Sequence, residues 1–193
     1  MSITINGTGS ITGLSAGGLP DGSVTADDLA TSVSLGKILQ IVQTSKTDTT
    51  STTSQDSFTD LGLSASITPA STSNKVLVMV SIGRVTCNTT ANRTCPFRVL
   101  RGSTPVGVGD TAGNRLTGNF VISDTNAATD NGHGGAYQFL DSPSTTSSTT
   151  YKIQWSGQAG ETWYLNRSGS DTDNVDAVYT RTGAQIILVE VAS

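Results

Sequence analysis

Charged side chains are scarce in this sequence, and aromatic side chains are scarcer still. Only 13% of the 193 residues are Asp, Glu, Lys or Arg, and Phe, Trp and Tyr together make up 5%. The 11 basic residues are scattered and the net charge is -4, whereas nucleic acids and anionic membranes attract clustered Lys and Arg. We therefore expect no nucleic-acid partner and no binding to an anionic membrane surface.

Long apolar runs are also missing. No stretch approaches the roughly 20 residues that a membrane helix requires, and the start, MSITINGTGS, lacks the basic residues and the apolar stretch of a secretory signal. The sequence predicts a protein that is made in the cytoplasm of the producing cell, leaves it only through assembly, and does not insert into a membrane.

Cysteine is limited to Cys87 and Cys95, too few for a disulfide scaffold and not clustered as zinc ligands are. Both lie within the segment VTCNTTANRTC and can face each other across a loop, so the sequence leaves open whether they form one cross-strand disulfide or remain two reduced, half-buried thiols. We favour the reduced pair.

Hydroxyl side chains take the place of the missing charges, since Ser and Thr fill more than a quarter of the sequence. Disordered chains combine low hydrophobicity with high net charge, whereas here β-branched apolar runs recur and the net charge is small. The length suits one all-β domain. These features indicate an ordered, Thr-rich β protein with a polar surface.

From Lys37 onward, short apolar phrases alternate with turns rich in Gly, Asn, Asp and Pro, which is the pattern of strands. VLVMVSIGRVT is continuously apolar over residues 76–80 and predicts a strand covered on both faces. AQIILVEVA predicts a C-terminal strand that is central or faces another subunit, because an exposed apolar edge invites aggregation. We expect an all-β, antiparallel jelly-roll sandwich of about ten strands. Further strands are predicted at KILQIVQTSKT, FTDLGLSASITP and residues 97–101, 119–123, 136–140, 149–155, 162–166 and 177–180.

Residues 1–36 differ in composition from the rest. They contain the β-like phrases SITI and SITGL, the turn LPDGS and one short helical phrase, TADDLA, with Thr25 as a candidate N-cap. A helix of two turns is not stable alone. The sequence predicts an N-terminal attachment arm that a partner orders, followed by a β-sandwich knob domain at residues 37–193.

The single histidine, His133, lies in the Gly-rich phrase NGHGGAY. Ser-His-Asp catalysis also requires a nucleophile on a strained turn, usually G-x-S-x-G, and the sequence has no such motif. We interpret His133 as a loop histidine, and we expect no catalytic residue, no cofactor and no enzymatic activity.

An oxygen-rich segment, SGSDTDNVDA, places Asp171, Asp173, Asn174 and Asp176 close together, and loops of this kind can bind Ca²⁺. It lacks the central glycine and the distal glutamate of an EF-hand. We favour a solvated loop and expect no metal site.

Carboxylate pairs for glycoside hydrolysis are available in number, with Asp110, Asp124, Asp130 and Asp141 in the middle third. Such pairs on β folds are usually framed by sugar-stacking aromatic residues, which are scarce here. A polysaccharide-degrading enzyme is therefore a minor alternative.

The aromatic residues Trp155, Trp163 and Tyr164 are interpreted as core or interface residues. A free carbohydrate-binding module, the alternative of another class, would instead expose Trp155 or Trp163 to stack on sugars.

Several phrases, in order and spacing, carry a resemblance to a known group. ITGLSAGGLPDGSVTADDLA, GKILQIVQTSKTDTTSTTSQDSFTDLGLSASITPASTSNKVLVMVSI, YQFLDSPSTTSSTTYKIQW, WYLNRSGSDTD and IILVEVA together resemble small virion proteins of tailed bacteriophages, including tail-fibre and related appendage proteins. The resemblance spans almost the whole chain. It implies a homotrimer of jelly-roll knobs, similar to the globular heads of C1q and tumour-necrosis-factor proteins, on the virion surface.

Two positions on the particle fit this resemblance. In the first, a tail-fibre-like appendage docks through residues 1–36 to other virion proteins and exposes residues 37–193. In the second, a capsid decoration or cement protein clamps neighbouring head subunits, which the small size favours because no long shaft is encoded. We expect contact with a host receptor or surface glycan at the loops of residues 88–94, 107–117 and 124–135, since loops carry variable contacts on a rigid scaffold.

Overall fold

The structure, a computed structural model, describes residues 37–89, 92–124, 129–158 and 160–192. The predicted attachment arm, residues 1–36, lies outside the described residues together with its short helix. The described residues form eleven β-strands and no α-helix. The strands are β1 (Ile38–Lys46), β2 (Thr50–Thr52), β3 (Thr59–Ile67), β4 (Lys75–Cys87), β5 (Arg93–Arg101), β6 (Thr104–Val106), β7 (Phe120–Asp124), β8 (His133–Asp141), β9 (Thr149–Trp155), β10 (Trp163–Leu165) and β11 (Ala184–Val191).

Two antiparallel sheets build a sandwich, which confirms the all-β, jelly-roll type of fold. Sheet I contains β1, β11, β4, β8, β10 and β2, and sheet II contains β3, β9, β5, β6 and β7. In sheet I the long strand β4 pairs with β8 on one side, and with β11 and then β10 on the other. The C-terminal strand β11 lies between β1 and β4, so its prediction as a central strand is confirmed.

Alternation between buried and exposed residues explains why these segments are strands. In β3, TDLGLSASI, the residues Leu61, Leu63, Ala65 and Ile67 are buried and the residues between them are exposed. This period of two places one apolar set against the other sheet. Gly62 adopts a φ of +80° within the stretch where the pairing of β3 with β9 shifts register, a conformation that glycine accepts without steric cost.

The core lies between the two sheets. Trp155 of β9, Trp163 of β10, Phe97 of β5 and Tyr151 of β9 are its largest side chains, and each is at most 1% exposed. Burying an aromatic or branched aliphatic side chain contributes about 1.5–3 kcal/mol. The two tryptophans are thus core residues, as predicted.

The sandwich has two different ends. At the end that we call the terminal end, the first and last described residues meet, where the Ala192 N–H donates to the Lys37 carbonyl at 2.9 Å. The opposite end, which we call the loop end, carries the described residues between β4 and β5, β7 and β8, β9 and β10, and β10 and β11.

Three details of the strand prediction are wrong. Residues 177–180 were expected to form a strand, but Ala177–Tyr179 is one turn of 3-10 helix because the Asp176 carboxylate accepts the Val178 N–H. The short strands Thr50–Thr52 and Thr104–Val106 lie in segments predicted as connectors. Each has three residues, too few to show a periodic pattern.

A search for a helix long and apolar enough to cross a membrane finds none among the described residues.

Candidate functional site

The structure separates two of the aspartates that were considered as catalytic carboxylates, Asp141 and Asp130. Asp141 lies toward the terminal end, where it accepts hydrogen bonds from Arg101 at 2.7 Å and from the Tyr151 hydroxyl at 2.6 Å. Asp130 lies at the loop end and accepts the N–H and the hydroxyl of Ser170, both at 2.7 Å. Asp110 is exposed in the segment between β6 and β7. Asp141 and Asp130 therefore join structural elements at opposite ends of the sandwich.

His133 is the first residue of β8 and is exposed, so its assignment to a loop is wrong. It pairs in register with Val85 of β4. This pairing explains why residue 133 lies in a strand and not in a loop, because β8 extends along β4 as far as that residue.

Cys87 and Cys95 are reduced thiols, as favoured, but they are fully buried rather than half-buried. Cys87 ends β4 in sheet I and Cys95 lies in β5 of sheet II, so they are not neighbours across one hairpin as the cross-strand disulfide required. Burial raises the pKa of the Cys95 thiol well above its ordinary value, and the nearby Cys87 raises it further.

The segment of residues 168–177 is tied into the protein by its own side chains. Asp171 accepts from Arg167 at 3.0 Å and from Arg181 at 2.7 Å, and Asp176 caps the 3-10 turn. Among the described residues, no group of three His, Cys, Asp or Glu side chains could hold a metal ion.

The three loops predicted for receptor contact do not form one cluster. Residues 88–89 and 129–132 lie together at the loop end, since their flanking strands are paired, while residues 90–91 and 125–128 lie outside the described residues. Residues 93–94 and 133–135, included in those loops, belong to β5 and β8. Residues 107–117 instead leave the edge of sheet II, where the Asn119 N–H donates to the Phe97 carbonyl at 2.8 Å.

Sheet I turns an apolar surface outward. The register places one row of outward side chains across four strands, namely Ile41 of β1, Val189 of β11, Leu77 of β4 and Leu140 of β8. Ile41 is 61% exposed and Leu140 is 55% exposed. We call the outward surface that contains this row the apolar face. It consists of Leu39, Ile41, Val189, Ile187, Leu77, Met79 and Leu140.

This surface changes the interpretation of β4. The inward residues Val76, Val78 and Val80 are buried in the sandwich, but Leu77 and Met79 between them are only half-buried on the apolar face. The prediction that this run is covered on both faces is therefore wrong for the described residues, which cover its inner face alone.

Polarity rises along the apolar face toward the loop end. The row beyond Ile187 and Met79 contains Gln185 and the small residues Ser81 and Ala136. These residues help to line a shallow hollow of about 530 Å³. The face thus offers broad aliphatic contact on one side and a recess on the other.

Two carboxylates of the same strands point inward. Glu190 of β11 is fully buried, and its carboxylate accepts the Asn74 side-chain amide at 2.6 Å, the Ala70 N–H at 2.7 Å and the Gln40 amide. Burial tends to raise the pKa of Glu190, but these three hydrogen bonds hold it below its ordinary value. Asp141 of β8 also points inward, to Tyr151 of sheet II. The strands thus bury carboxylates while exposing Ile41 and Leu140.

On the outer side of sheet II, strands β3, β9 and β5 are polar by contrast, although Val121 of β7 is 56% exposed. Asp60 accepts from Lys152 at 2.9 Å and from the amide of Gln154, which in turn accepts from Arg98. The Ser66 and Thr150 hydroxyls lie 2.7 Å apart. We call this surface the polar face.

Comparisons with known proteins add little. No family model and no curated protein matches the chain. A chain from a solved structure described as infectious bursal disease virus, Gx strain, is similar over 81% of this chain and 38% of that chain, with 13% sequence identity and a TM-score of 0.31. At that TM-score the likeness supports no argument about function. The apolar face is therefore the feature on which a functional assignment depends.

Proposed function

We propose that this protein is a non-enzymatic structural protein of a tailed-phage virion: a homotrimeric surface appendage of tail-fibre type whose copies meet through the apolar face. The row of Ile41, Val189, Leu77 and Leu140 is the observation that carries the self-association. Ile41 and Leu140 at the two ends of this row are more than half exposed, whereas Val189 between them is 8% exposed, and exposed aliphatic side chains on one surface are typical of interaction sites. The resemblance of the sequence to phage appendage proteins supports the virion assignment.

A second copy of the chain is the occupant that fits the apolar face best. None of the seven residues that define the face is charged, although Gln43 and Gln138 complete the row of Ile187 and Met79, so an identical surface brings mainly apolar area and few polar groups that must lose their water. Copies related by a rotation axis form a closed assembly. A three-fold axis brings three apolar faces together and leaves the polar faces in water.

The two ends of the sandwich suit an appendage. Lys37, the first described residue after the predicted arm in sequence, lies at the terminal end, where its carbonyl accepts the Ala192 N–H. Residues 88–89 and 129–132 lie at the opposite end. Docking of the arm to other virion proteins would then leave the loop end free for contact with a host receptor or surface glycan.

Immunogold labelling of phage particles tests the virion assignment. We expect label on the tail; label spread over the head supports the capsid decoration or cement alternative, and unlabelled particles contradict both. A variant limited to residues 37–193 sharpens the test, because it should fold and trimerise but not join particles. If it fails to fold, residues 1–36 belong to the core and are not an arm.

A free carbohydrate-binding module was expected to expose Trp155 or Trp163 for stacking on a sugar. Trp155 and Trp163 are both buried, so neither can stack on a sugar at the surface. The structure offers no observation that favours this alternative over the appendage.

A further inference from the structure

A second surface feature lies beyond the apolar face, on the outer side of sheet I at the loop end. Tyr164 of β10 pairs in register with Ser51 of β2, and the Arg167 guanidinium lies 3.9 Å from the centre of the Tyr164 ring. With Thr49 and Thr50 these residues line a hollow of about 160 Å³. It shares no residue with the apolar face.

Arg167 is fixed before any ligand arrives. One terminal nitrogen of the guanidinium donates to Asp171 at 3.0 Å, and the other donates to the Gly169 carbonyl at 3.0 Å. The guanidinium also packs over the ring of Tyr164. Its Nε is buried and has no acceptor among the described residues. Each terminal nitrogen of a guanidinium carries two hydrogens, so donors remain on this side chain after its internal contacts are made.

Hydroxyl groups beside Arg167 are also unused. The side-chain hydroxyls of Thr49, Ser51 and Tyr164 make no hydrogen bond within the described residues. Most hydroxyls elsewhere on the strands have partners, as the Ser66–Thr150 pair shows. A guanidinium and several hydroxyls that face one hollow form a set of donors that lacks an acceptor.

The charges around the hollow favour an anion. Arg167 and Arg181 both pair with Asp171, so one negative charge balances only one of the two positive charges. The nearby Asp48 is already paired with Lys46 at 2.9 Å. The local balance is positive, although the whole chain has a net charge of -4.

We propose that the hollow formed by Thr49, Ser51, Tyr164 and Arg167 binds an oxyanion, either a phosphate or sulfate group or a carboxylate. Oxyanions supply only acceptors, which matches a site of donors, and a guanidinium is well suited to them in geometry and charge. The site shares no residue with the apolar face, so failure of one proposal leaves the other unaffected.

Titration of the full chain with inorganic phosphate, followed by NMR, tests this site. We expect saturable shifts of the Arg167 Nε–H signal and of the Ser51 amide, and no such shifts with chloride at equal ionic strength. Acetate in a parallel titration separates the two ligand classes: saturation by acetate identifies a carboxylate site, and saturation by phosphate alone identifies a tetrahedral anion. Equal shifts with chloride, or no saturable shift with phosphate or acetate, would overturn the proposal.

Paired variants link the binding to these side chains. S51A combined with Y164F removes two hydroxyls and keeps the ring under Arg167, and it should weaken binding of the saturating anion at least tenfold. S66A, on the polar face, is the matched control and should leave the affinity unchanged. Unchanged affinity in the S51A/Y164F variant, with the Arg167 signal still in place, would also overturn the proposal.

Discussion

The apolar face and the polar face differ although both are outer surfaces of antiparallel sheets in one sandwich. On the polar face, outward positions hold Asp60, Lys152 and Gln154, which are joined by hydrogen bonds. On the apolar face, the corresponding positions hold aliphatic residues such as Ile41 and Leu140, each more than half exposed. The strands themselves are alike in length and in pairing.

This difference supports the proposal that the two surfaces meet different surroundings. An aliphatic side chain that stays in water adds no stabilising free energy, whereas burial of one such side chain contributes about 1.5–3 kcal/mol. Sheet I also directs Glu190 and Asp141 inward, where each needs several hydrogen bonds to offset the loss of water. Buried carboxylates together with exposed aliphatic residues are the arrangement expected of a sheet whose outer surface a second copy of the chain covers, as proposed.

The largest expected effect comes from placing charge on the apolar face. I41K combined with L140K should weaken self-association at least 100-fold, because each lysine replaces about 1.5–3 kcal/mol of apolar burial and each 1.4 kcal/mol is tenfold in affinity. Sedimentation velocity over a range of protein concentrations measures this change.

A lysine on the polar face is the control for that experiment. S66K should leave self-association unchanged, since Ser66 lies in the opposite sheet and beside other polar groups. Equal weakening by S66K and by I41K/L140K would show that the two faces do not differ in the way proposed.

A smaller effect should follow from changing the buried carboxylate behind the apolar face. E190Q replaces an acceptor of three hydrogen bonds, and we expect it to lower the free energy of unfolding by about 1–3 kcal/mol at neutral pH. Chemical denaturation monitored by tryptophan fluorescence measures the change, since Trp155 and Trp163 are buried in the native state.

The pH dependence of the unfolding free energy tests whether Glu190 stabilises the fold in its charged form. The pKa of Glu190 in the folded protein is below its ordinary value of 4.5, so its stabilisation is present above the unfolded pKa. It is lost as the pH falls through the folded pKa. Unfolding free energies measured from neutral to acidic pH should fall less steeply for E190Q, and parallel curves for the two proteins would contradict this role.

The smallest effect is expected on the polar face. D60N removes the charge that pairs with Lys152, whose side chain is 32% exposed, while that of Asp60 is 54% exposed. Exposed ion pairs contribute at most about 1 kcal/mol. The variant should unfold within that margin of the native protein, as thermal or chemical denaturation would measure, and a larger loss would mean that the polar face contributes to stability through its ion pair.

Local alternation made most strands predictable. The segments that became β1, β3, β4 and β11 each bury alternate residues or a continuous apolar run, and short-range pattern is enough to find them. The segment of residues 177–180 misled the prediction because β-branched and aromatic residues suggest a strand. The Asp176 cap instead closes a 3-10 turn there.

The candidate surfaces were much less predictable. The phrase VLVMV does not reveal whether the second face of this strand contacts the same chain or another. Only the register of β1 with β11, and of β11 and β8 with β4, brings Ile41, Val189 and Leu140 into one row with Leu77. The hollow at Arg167 joins residues more than 100 positions apart through the pairing of β2 with β10. Pairings of this kind depend on the whole fold.

Sedimentation equilibrium of the purified full chain tests the central claim most directly, because that claim is that copies of the chain cover the apolar face. At micromolar concentration we predict a mass three times that of a single chain, which I41K/L140K reduces to the mass of one chain. A native protein that keeps the mass of a single chain at every concentration would contradict the account.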